Sequence, residues 1–370
     1  MRILGIETSC DETAASVIEA KNDQIKVLSN TVSSQIEKHA PFGGVVPSLA
    51  AREHITNLPT VLKTVLGNFD MADIDLIAVT AGPGLISSLL VGTAFAKALA
   101  YKYKKSIVAV NHMEGHIVSN WLKPIGKISK FQSSKVFPAL CLIVSGGHTQ
   151  LVLMGGFPSA YAKTSARQRN YKLIGETVDD AAGEAFDKIA RILNLGYPGG
   201  PAIAAEAAKF KVKSEKFKVE LPRPMINSKD FNFSFAGLKT AVLYLVRDLK
   251  KQMNIENLGK ETVIQIAAAT QDAIVDVLIK KTVRVVKEYK VKSIMLSGGV
   301  SANKLLQERL MNVGKELNIE VRIPALDYTT DNAAMIALAG YVKFKSLKVS
   351  KPESLKWQNV RADANWEAFK

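Results

Sequence analysis

The chain has 370 residues, of which 47% are hydrophobic and 7% aromatic, a composition that is typical of a globular protein and excludes a disordered one. That length accommodates two domains with separate cores. The formal net charge of +15 and the pI of about 9.6 indicate either a solvated, lysine-rich surface or a partner rich in phosphate groups.

The first half of the chain opens with a predicted strand–turn–strand unit. Residues 2–7 predict a strand, residues 8–13 a polar turn, and residues 14–19 a second strand. Residues 76–80 predict another strand, which ends in a glycine turn. The apolar stretch 84–100 contains Lys97 and is short for a bilayer span, so it predicts a buried helix and no membrane segment.

The second half repeats this pattern. Residues 139–144 predict a strand, 145–149 a turn and 150–154 a second strand, and residues 293–296 lead into another glycine turn. An apolar helix is predicted at 333–342. Alternating strands and helices predict a parallel or mixed α/β protein, in which two similar halves face each other across a cleft.

The two cysteines, Cys10 and Cys141, form neither a C-x-x-C motif nor a paired framework. Such sparse cysteine usage favours a reducing compartment, so we expect a cytoplasmic protein. Glu7 interrupts the first apolar run, so we expect no signal peptide.

His112 and His116 lie four residues apart, after an apolar run at 107–110 that predicts a short strand. On a helix, this spacing places both imidazoles on one face, about 6 Å apart at Cβ, where they can bind one transition-metal ion. In a zinc-protease helix a glutamate directly follows the first histidine, whereas Glu114 follows two residues later, about 200° around the helix. That class is therefore excluded, while two histidines that merely pack a surface helix remain the alternative.

Asp331 lies near the end of a loop, two residues before the predicted helix at 333–342. It is either the N-cap of that helix or a third metal ligand. One carboxylate and two imidazoles suit zinc and ferrous iron equally well.

Three glycine turns of similar form lie at 145–147, 198–200 and 297–299. Glycine lets backbone N–H groups approach an anion, and the start of a following helix adds a positive dipole end. A single turn of this kind is explained by steric needs alone. Three of them predict a nucleotide cleft, together with the acidic residues Asp11, Glu12 and Asp187.

From about residue 1 to 345 the chain resembles the bacterial TsaD family, the catalytic subunits of tRNA threonylcarbamoylation, within a larger family long named O-sialoglycoprotein endopeptidases. The matching strings, in order, are GIETSCDET at 5–13, HMEGH at 112–116, LIVSGGHTQL at 142–151, GETVDDAAGEAFDKIARILNLGYPGGPAI at 175–203, FNFSFAGLKTAV at 231–242, SGGVSANKLL at 297–306 and TTDNAAMIA at 329–337.

The resemblance implies the actin-like α/β fold of sugar kinases and Hsp70 ATPases, with two duplicated domains around a nucleotide cleft. It implies transfer of a threonylcarbamoyl group from threonylcarbamoyl-AMP to the exocyclic amine of adenosine 37 in tRNAs that read ANN codons. The implied protein partners are TsaB-like and TsaE-like subunits.

Site residues are implied motif by motif. One divalent ion, iron or zinc, would be bound by His112, His116 and Asp331. The implied substrate contacts are Ile143, Val144, Ser145, Gly146, Gly147, Asp187, Gly200 and Asn303. Because an adenine amine is a poor nucleophile, a base is expected as well. Asp11 and Glu12 are the candidates, although both equally suit a turn that caps local N–H groups.

We expect a first subdomain at residues 1–123 that is completed by a helix at 331–345, a second subdomain at 124–330, and an extension at 346–370. This extension and the segments 124–136 and 156–171 look longer than the family pattern. They affect the expected surface and partner contacts but not the core.

Two other classes remain open. One is another carbamoyl- or phosphoryl-transferase of the actin-like fold, which we would expect to carry an additional domain. The other is a non-catalytic nucleotide-binding subunit, which we would expect to lack the metal histidines. A serine protease is not supported, because no Ser-His-Asp motif is present.

Two basic clusters are candidates for a surface that binds the tRNA anticodon stem, and solvated loops are the alternative. They consist of Lys163, Arg167, Arg169 and Lys172, and of Lys209, Lys211, Lys213, Lys216 and Lys218.

Overall fold

The computed structural model describes residues 1–131, 136–156, 171–210, 219–347 and 355–369. Most of the two basic clusters lies outside these ranges, namely Lys163, Arg167, Arg169, Lys211, Lys213, Lys216 and Lys218. Their binding to tRNA therefore stays a prediction. Parts of the long segments 124–136, 156–171 and 346–370 lie outside the described residues as well.

A six-stranded sheet forms from the first third of the chain, with the order β5-β4-β1-β2-β3-β6. Its strands are β1 Arg2–Glu7, β2 Glu12–Lys21, β3 Gln24–Ser34, β4 Leu76–Gly82, β5 Ser106–Asn111 and β6 Ile128–Lys130. β1, β4 and β5 are parallel, while β1, β2, β3 and β6 pair antiparallel. Asn22 and Asp23 join β2 to β3 with φ values of 50° and 61°, a left-handed conformation that Asn and Asp tolerate better than most residues.

A five-stranded sheet repeats the same plan, with the order β11-β10-β7-β8-β9. Its strands are β7 Ala139–Val144, β8 Thr149–Met154, β9 Tyr171–Glu176, β10 Ser293–Ser297 and β11 Glu320–Arg322. Two antiparallel strands follow β7, and two parallel strands lie on its other side, as around β1. The predicted repetition of a strand–turn–strand unit is confirmed, and β1 and β7 have the predicted bounds.

Ten α-helices lie in the described residues: α1 Ile36–His39, α2 Pro47–Leu66, α3 Ile86–Tyr103, α4 His112–Val118, α5 Ala182–Ile192, α6 Gly199–Ala207, α7 Ala236–Met253, α8 Lys260–Tyr289, α9 Lys304–Leu317 and α10 Ala333–Ser346. The apolar stretch 84–100 forms α3, as predicted. α8 is long and apolar enough to cross a membrane by length and composition. Half of its most apolar window is buried inside the protein, as in a core helix, so this is a weak indication.

Alternate residues of a strand pack into different hydrophobic cores, because successive side chains point to opposite faces of the sheet. Leu140 and Leu142 of β7 pack with α5–α9. Cys141 and Ile143 face the other way, into a core that includes α4, α10 and one face of the first sheet. The opposite face of the first sheet packs against α2 and α3.

We call the first sheet with α2 and α3 the first lobe, and the second sheet with α5–α9 the second lobe; α4 and α10 lie between the sheets. α10 packs very closely on the first sheet, since a Cβ at Gly340 would lie 2.4 Å from the Cβ of Ala78. The predicted subdomain boundary after residue 123 stays a prediction. β6 lies beyond it and pairs with β3.

Candidate metal centre and active-site cleft

Three parallel neighbours in the first sheet bring the candidate site together. β1, β4 and β5 run side by side in one direction, so the segments that follow them lie at the same edge of the sheet, where α/β proteins place their ligands. The loop that contains Asp11 follows β1, and α4 begins directly after β5.

α4 presents the predicted histidine pair. Asn111 caps the helix, because its Oδ1 accepts hydrogen bonds from the backbone N–H groups of Met113 at 2.9 Å and Glu114 at 3.4 Å. His112 and His116 lie one turn apart, with ring centroids 4.6 Å from each other. Both rings are buried, His116 completely.

Asp331 reaches this pair from the start of α10. The sequence left open whether Asp331 caps that helix, and the structure assigns the cap to Asn332, whose Oδ1 accepts a hydrogen bond from the N–H of Met335 at 3.0 Å. Oδ1 of Asp331 lies 3.4 Å from Nε2 of His112 and 3.2 Å from Nε2 of His116.

These three side chains fit a metal ion. Their ligand atoms all lie within 4.8 Å of one another, and the ligand atoms of a tetrahedral zinc ion lie about 3.3 Å apart. Within the described residues, neither ring nitrogen of the buried His116 makes a hydrogen bond. Its Nε2 faces Asp331 outside hydrogen-bonding geometry, as expected of two groups that point at a common ion rather than at each other.

A buried carboxylate lies behind the histidines. Oε2 of Glu7 lies 3.1 Å from Nδ1 of His112 and accepts a hydrogen bond from Thr80 Oγ1 at 2.6 Å. Burial alone would raise the pKa of Glu7, but the adjacent His112 holds it below the ordinary value. Burial acts in the same way on Asp331, and both histidines lower its pKa. A positive charge at this centre therefore favours the ionised form of both carboxylates.

The centre opens into a cleft of about 940 Å³ between the lobes. Most predicted site residues line this cleft, namely Asp11, Glu12, His112, Ser145, Gly146, Gly147, Asp187, Gly200, Asn303 and Asp331. Ile143 and Val144 do not, because they are fully buried in β7. His116 is not part of the lining either and faces the centre from within the core.

The cleft-lining glycines leave room for a ligand. A Cβ placed on Gly146, Gly147 or Gly200 would meet no atom within 4 Å. By contrast, Gly183 is required by close packing, since its Cβ would lie 2.5 Å from the carbonyl oxygen of Ser145. A side chain at any of the first three positions would occupy cleft volume without disturbing the fold.

Asp187 and Asn303 are partly engaged within the protein. Oδ1 of Asp187 accepts a hydrogen bond from the N–H of Gly199 at 2.7 Å. Oδ1 of Asn303 caps α9 by accepting from Leu306 N–H at 3.0 Å, and its Nδ2 donates to Gln271 at 2.9 Å. Both polar groups of the Asn303 side chain are therefore already hydrogen-bonded within the wall of the cleft.

Four residues at the site were not predicted from the sequence: Glu7, Ser9, His148 and Tyr197. Burial, with smaller effects of His112 and His116, lowers the pKa of His148 to about 4, so its imidazole is neutral at pH 7. His148 directly follows the glycine turn 145–147, and that position could have identified it. Glu7 interrupts an apolar run, but that pattern does not show which group its carboxylate faces.

Two similar sheets of mixed α/β order, with a candidate metal centre between them, define an α/β fold class, and solved structures of similar fold agree. HypF from T. kodakarensis has a TM-score of 0.52 at 16% identity, over 95% of this chain and 48% of that one. Full-length HypF in its phosphate- and nucleotide-bound form has a TM-score of 0.54 at 13% identity, over 94% and 47%. The predicted actin-like α/β fold is confirmed.

The family is equally clear. Residues 26–338 match the family model for TsaD, tRNA N6-adenosine threonylcarbamoyltransferase. A protein of that name from Thermosipho africanus is 46% identical over 352 residues, which cover 93% of this chain and 95% of the relative. One from Dehalococcoides mccartyi is 47% identical over 351 residues, covering 94% and 95%. The chain belongs to the TsaD family and is a tRNA-modifying acyltransferase.

Proposed function

We propose that this enzyme transfers the threonylcarbamoyl group from threonylcarbamoyl-AMP to N6 of adenosine 37 in tRNAs that read ANN codons. One divalent ion, iron or zinc, would be held by His112, His116 and Asp331. The observation that carries this proposal is that the histidine–aspartate centre and the open glycine turns face one cleft. Its volume of about 940 Å³ is at the upper end of the roughly 300–1,000 Å³ usual for small-ligand sites, which leaves room for an adenylate.

The reaction forms a bond between N6 and the carbonyl carbon and breaks the bond from that carbon to the phosphate oxygen. AMP leaves, and N6 loses one proton. A bound divalent ion supplies Lewis acidity toward substrate oxygens. The open backbone at Gly146 and Gly147 lets phosphate oxygens approach the turn closely.

Asp11 and Glu12 are the candidates for the group that accepts the N6 proton. Burial, followed by the charges of Asp331 and Asp11, raises the pKa of Glu12 well above its ordinary value. A carboxylate with a raised pKa is a stronger base at neutral pH than an ordinary one. Glu12 is therefore suited to accept the N6 proton.

The proposal extends to partners and location. TsaB-like and TsaE-like subunits would assemble with this chain, and the complex would act in the cytoplasm, where tRNA is modified. The anticodon loop is single-stranded, so adenosine 37 can enter the cleft without unpairing a duplex.

The test is to incubate the protein with synthetic threonylcarbamoyl-AMP and an unmodified tRNA, and to analyse the digested nucleosides by mass spectrometry. We expect threonylcarbamoyladenosine when position 37 is adenosine and none when it is guanosine. The reaction is run with and without TsaB-like and TsaE-like proteins from a relative. Product only in the supplemented reaction establishes the partner requirement, and no product in either contradicts the proposed function.

Gly200→Val tests the cleft, with adenylate affinity measured by calorimetry with a non-hydrolysable adenylate analogue. The valine side chain would project into the space proposed for the adenylate, so adenylate affinity should fall at least tenfold while the thermal midpoint stays close to that of the parent. Gly259→Val is the matched control, since its Cβ also meets no atom within 4 Å but it caps α8 away from the cleft. Equal affinities of the two variants would show that Gly200 does not border the bound adenylate.

A further inference from the structure

Glu7, the last residue of β1, is fully buried, and both of its carboxylate oxygens hold donors. Oε1 accepts the backbone N–H of Ser9, and Oε2 accepts the hydroxyl of Thr80. Because β1 and β4 are parallel and Ile6 pairs with Val79, Glu7 and Thr80 are neighbours across the sheet. The strand register and these two hydrogen bonds hold the carboxylate at the site.

The Glu7 carboxylate also faces His112, one of the proposed metal ligands. Oε2 lies 3.1 Å from Nδ1 of His112, on the opposite edge of the ring from Nε2, which faces Asp331. A carboxylate beside Nδ1 requires a proton there, so Nε2 keeps its lone pair for a metal ion. Ser9 Oγ lies 3.2 Å from the same Nδ1 and can share that proton. His116 has no corresponding partner within the described residues.

The summed charge of the proposed centre also supports a role for Glu7. Two neutral imidazoles and Asp331 contribute one negative charge to a divalent ion, and Glu7 supplies the second from within hydrogen-bond distance of a ligand. A buried centre with zero net charge avoids the desolvation cost of an uncompensated charge in the core.

We propose that Glu7 is a positioning residue of the metal centre, which holds His112 in its metal-binding tautomer and orientation and balances the charge of the ion. The inference rests on the proposed function, because it needs a metal at His112, His116 and Asp331. It adds to that function a residue that touches neither metal nor substrate and yet sets the metal affinity.

The experiment measures Co²⁺ affinity of the purified, metal-stripped full chain by competition with a chelator, and records the visible spectrum of the Co²⁺ form. Glu7→Gln keeps the size of the side chain and removes its charge. We expect a 10–100-fold loss of affinity, the range typical when the hydrogen-bond partner of a metal-bound histidine is removed, with an altered Co²⁺ spectrum. Glu19→Gln makes the same change at a partly exposed carboxylate of β2 that pairs with Arg2, and it should change affinity by less than about threefold.

His116→Ala separates the two ideas. If His116→Ala loses Co²⁺ while Glu7→Gln keeps both affinity and spectrum, Glu7 has only a packing role and the inference is overturned. If His116→Ala binds Co²⁺ like the parent, the metal centre itself is wrong. Should Glu7→Gln not fold, Glu7→Asp retains the charge but withdraws the carboxylate from His112. An intermediate affinity then supports the inference, and an unchanged one overturns it.

Discussion

At the scale of single residues, a buried histidine outside the metal centre supports the loop that carries the acidic candidates. His54 of α2 donates from Nε2 to the carbonyl oxygen of Cys10 at 3.0 Å and accepts at Nδ1 from Thr13 Oγ1 at 2.8 Å. The N–H of Gln35 donates to the carbonyl oxygen of Asp11 at 3.1 Å. These bonds fix the backbone on both sides of Asp11, and they use the neutral form of His54.

The neutral state of His54 makes stability depend on pH. Burial lowers the pKa of His54 from its ordinary value of 6.5, although the bond to Cys10 and the charges of Glu7 and Asp11 oppose this effect. As pH falls below 6.5, the unfolded chain takes up a proton that the folded chain resists, so stability present above that pH is lost. His54→Gln should flatten this acid-side loss in denaturant titrations between pH 7.5 and 5. A stability difference from the parent that is independent of pH would contradict this role.

Single residues also show where prediction from sequence ends. The spacing of His112 and His116 defines one helix face, so the pair could be predicted from local geometry. The role of Glu7 could not, because it depends on the register of β1 against β4, which adjoin only in the folded sheet. Ile143 and Val144 were expected to contact substrate as part of a motif, but β7 is covered on both faces, so the side chains of both lie in hydrophobic cores. Contact through their backbone stays a prediction.

At the scale of elements, β1 and β7 were predicted with their bounds and β4, β5 and β8 within one or two residues, whereas β2 was predicted too short and β3 not at all. β2 begins at Glu12 rather than at residue 14, because pairing with β3 extends it into the polar turn. β3 was missed entirely, since only Ile25 and Val27 of its side chains are buried. Its structure comes from hydrogen bonds to β2, which a pattern of apolar residues does not reveal.

The carboxy-terminal segment 355–369 is an element whose role only the structure shows. The N–H of Asp363 donates to the carbonyl oxygen of Ala81 at 2.7 Å, at the end of β4. Nδ2 of Asn111, the residue that caps the histidine helix, donates to the carbonyl oxygen of Trp366 at 3.0 Å. Phe369 is buried and packs on Tyr171 of β9 with ring centroids 5.4 Å apart. The segment thus joins the edge that carries the site to the second sheet.

Truncation after residue 355 should therefore destabilise the protein. Val360 and Phe369 would lose their burial, which contributes about 1.5–3 kcal/mol for each side chain, and Asn111 would lose a hydrogen-bond partner. We expect the free energy of unfolding to fall by about 3–5 kcal/mol and Co²⁺ affinity to weaken, because the cap of α4 loosens. Arg361→Ala, at an exposed position of the same segment, is the control. An unchanged denaturation midpoint in the truncated chain would show that the segment is an appendage.

At the scale of the whole molecule, the proposed adenylate site is shared between the lobes. The loop of the first lobe supplies Asp11 and Glu12, while Asp187 lies on α5 of the second. One turn after Asp187 on the same helix, the guanidinium of Arg191 donates to the carbonyl oxygen of Gly43 in the first lobe. Gly43 has a φ of 66°, and its missing side chain makes room for the guanidinium.

Breaking this link should weaken ligand binding more than folding. Arg191 is exposed, so the loss of this hydrogen bond in Arg191→Ala should lower the free energy of unfolding by about 1 kcal/mol. The two lobes would be in the ligand-binding arrangement for a smaller fraction of the time. A ligand that contacts both lobes would then bind roughly 3–10-fold more weakly, since apparent affinity scales with the population of the competent state.

Calorimetry with a non-hydrolysable adenylate analogue at about 0.05 and about 0.5 M salt measures this affinity. A direct charge effect would fade at high salt, while an effect of lobe position would persist. Arg247→Ala, which removes an exposed pair with Asp248 on α7, should leave affinity unchanged at both. Equal affinity in the Arg191 and Arg247 variants would mean that the cleft is held in place from the core alone, through α4 and α10.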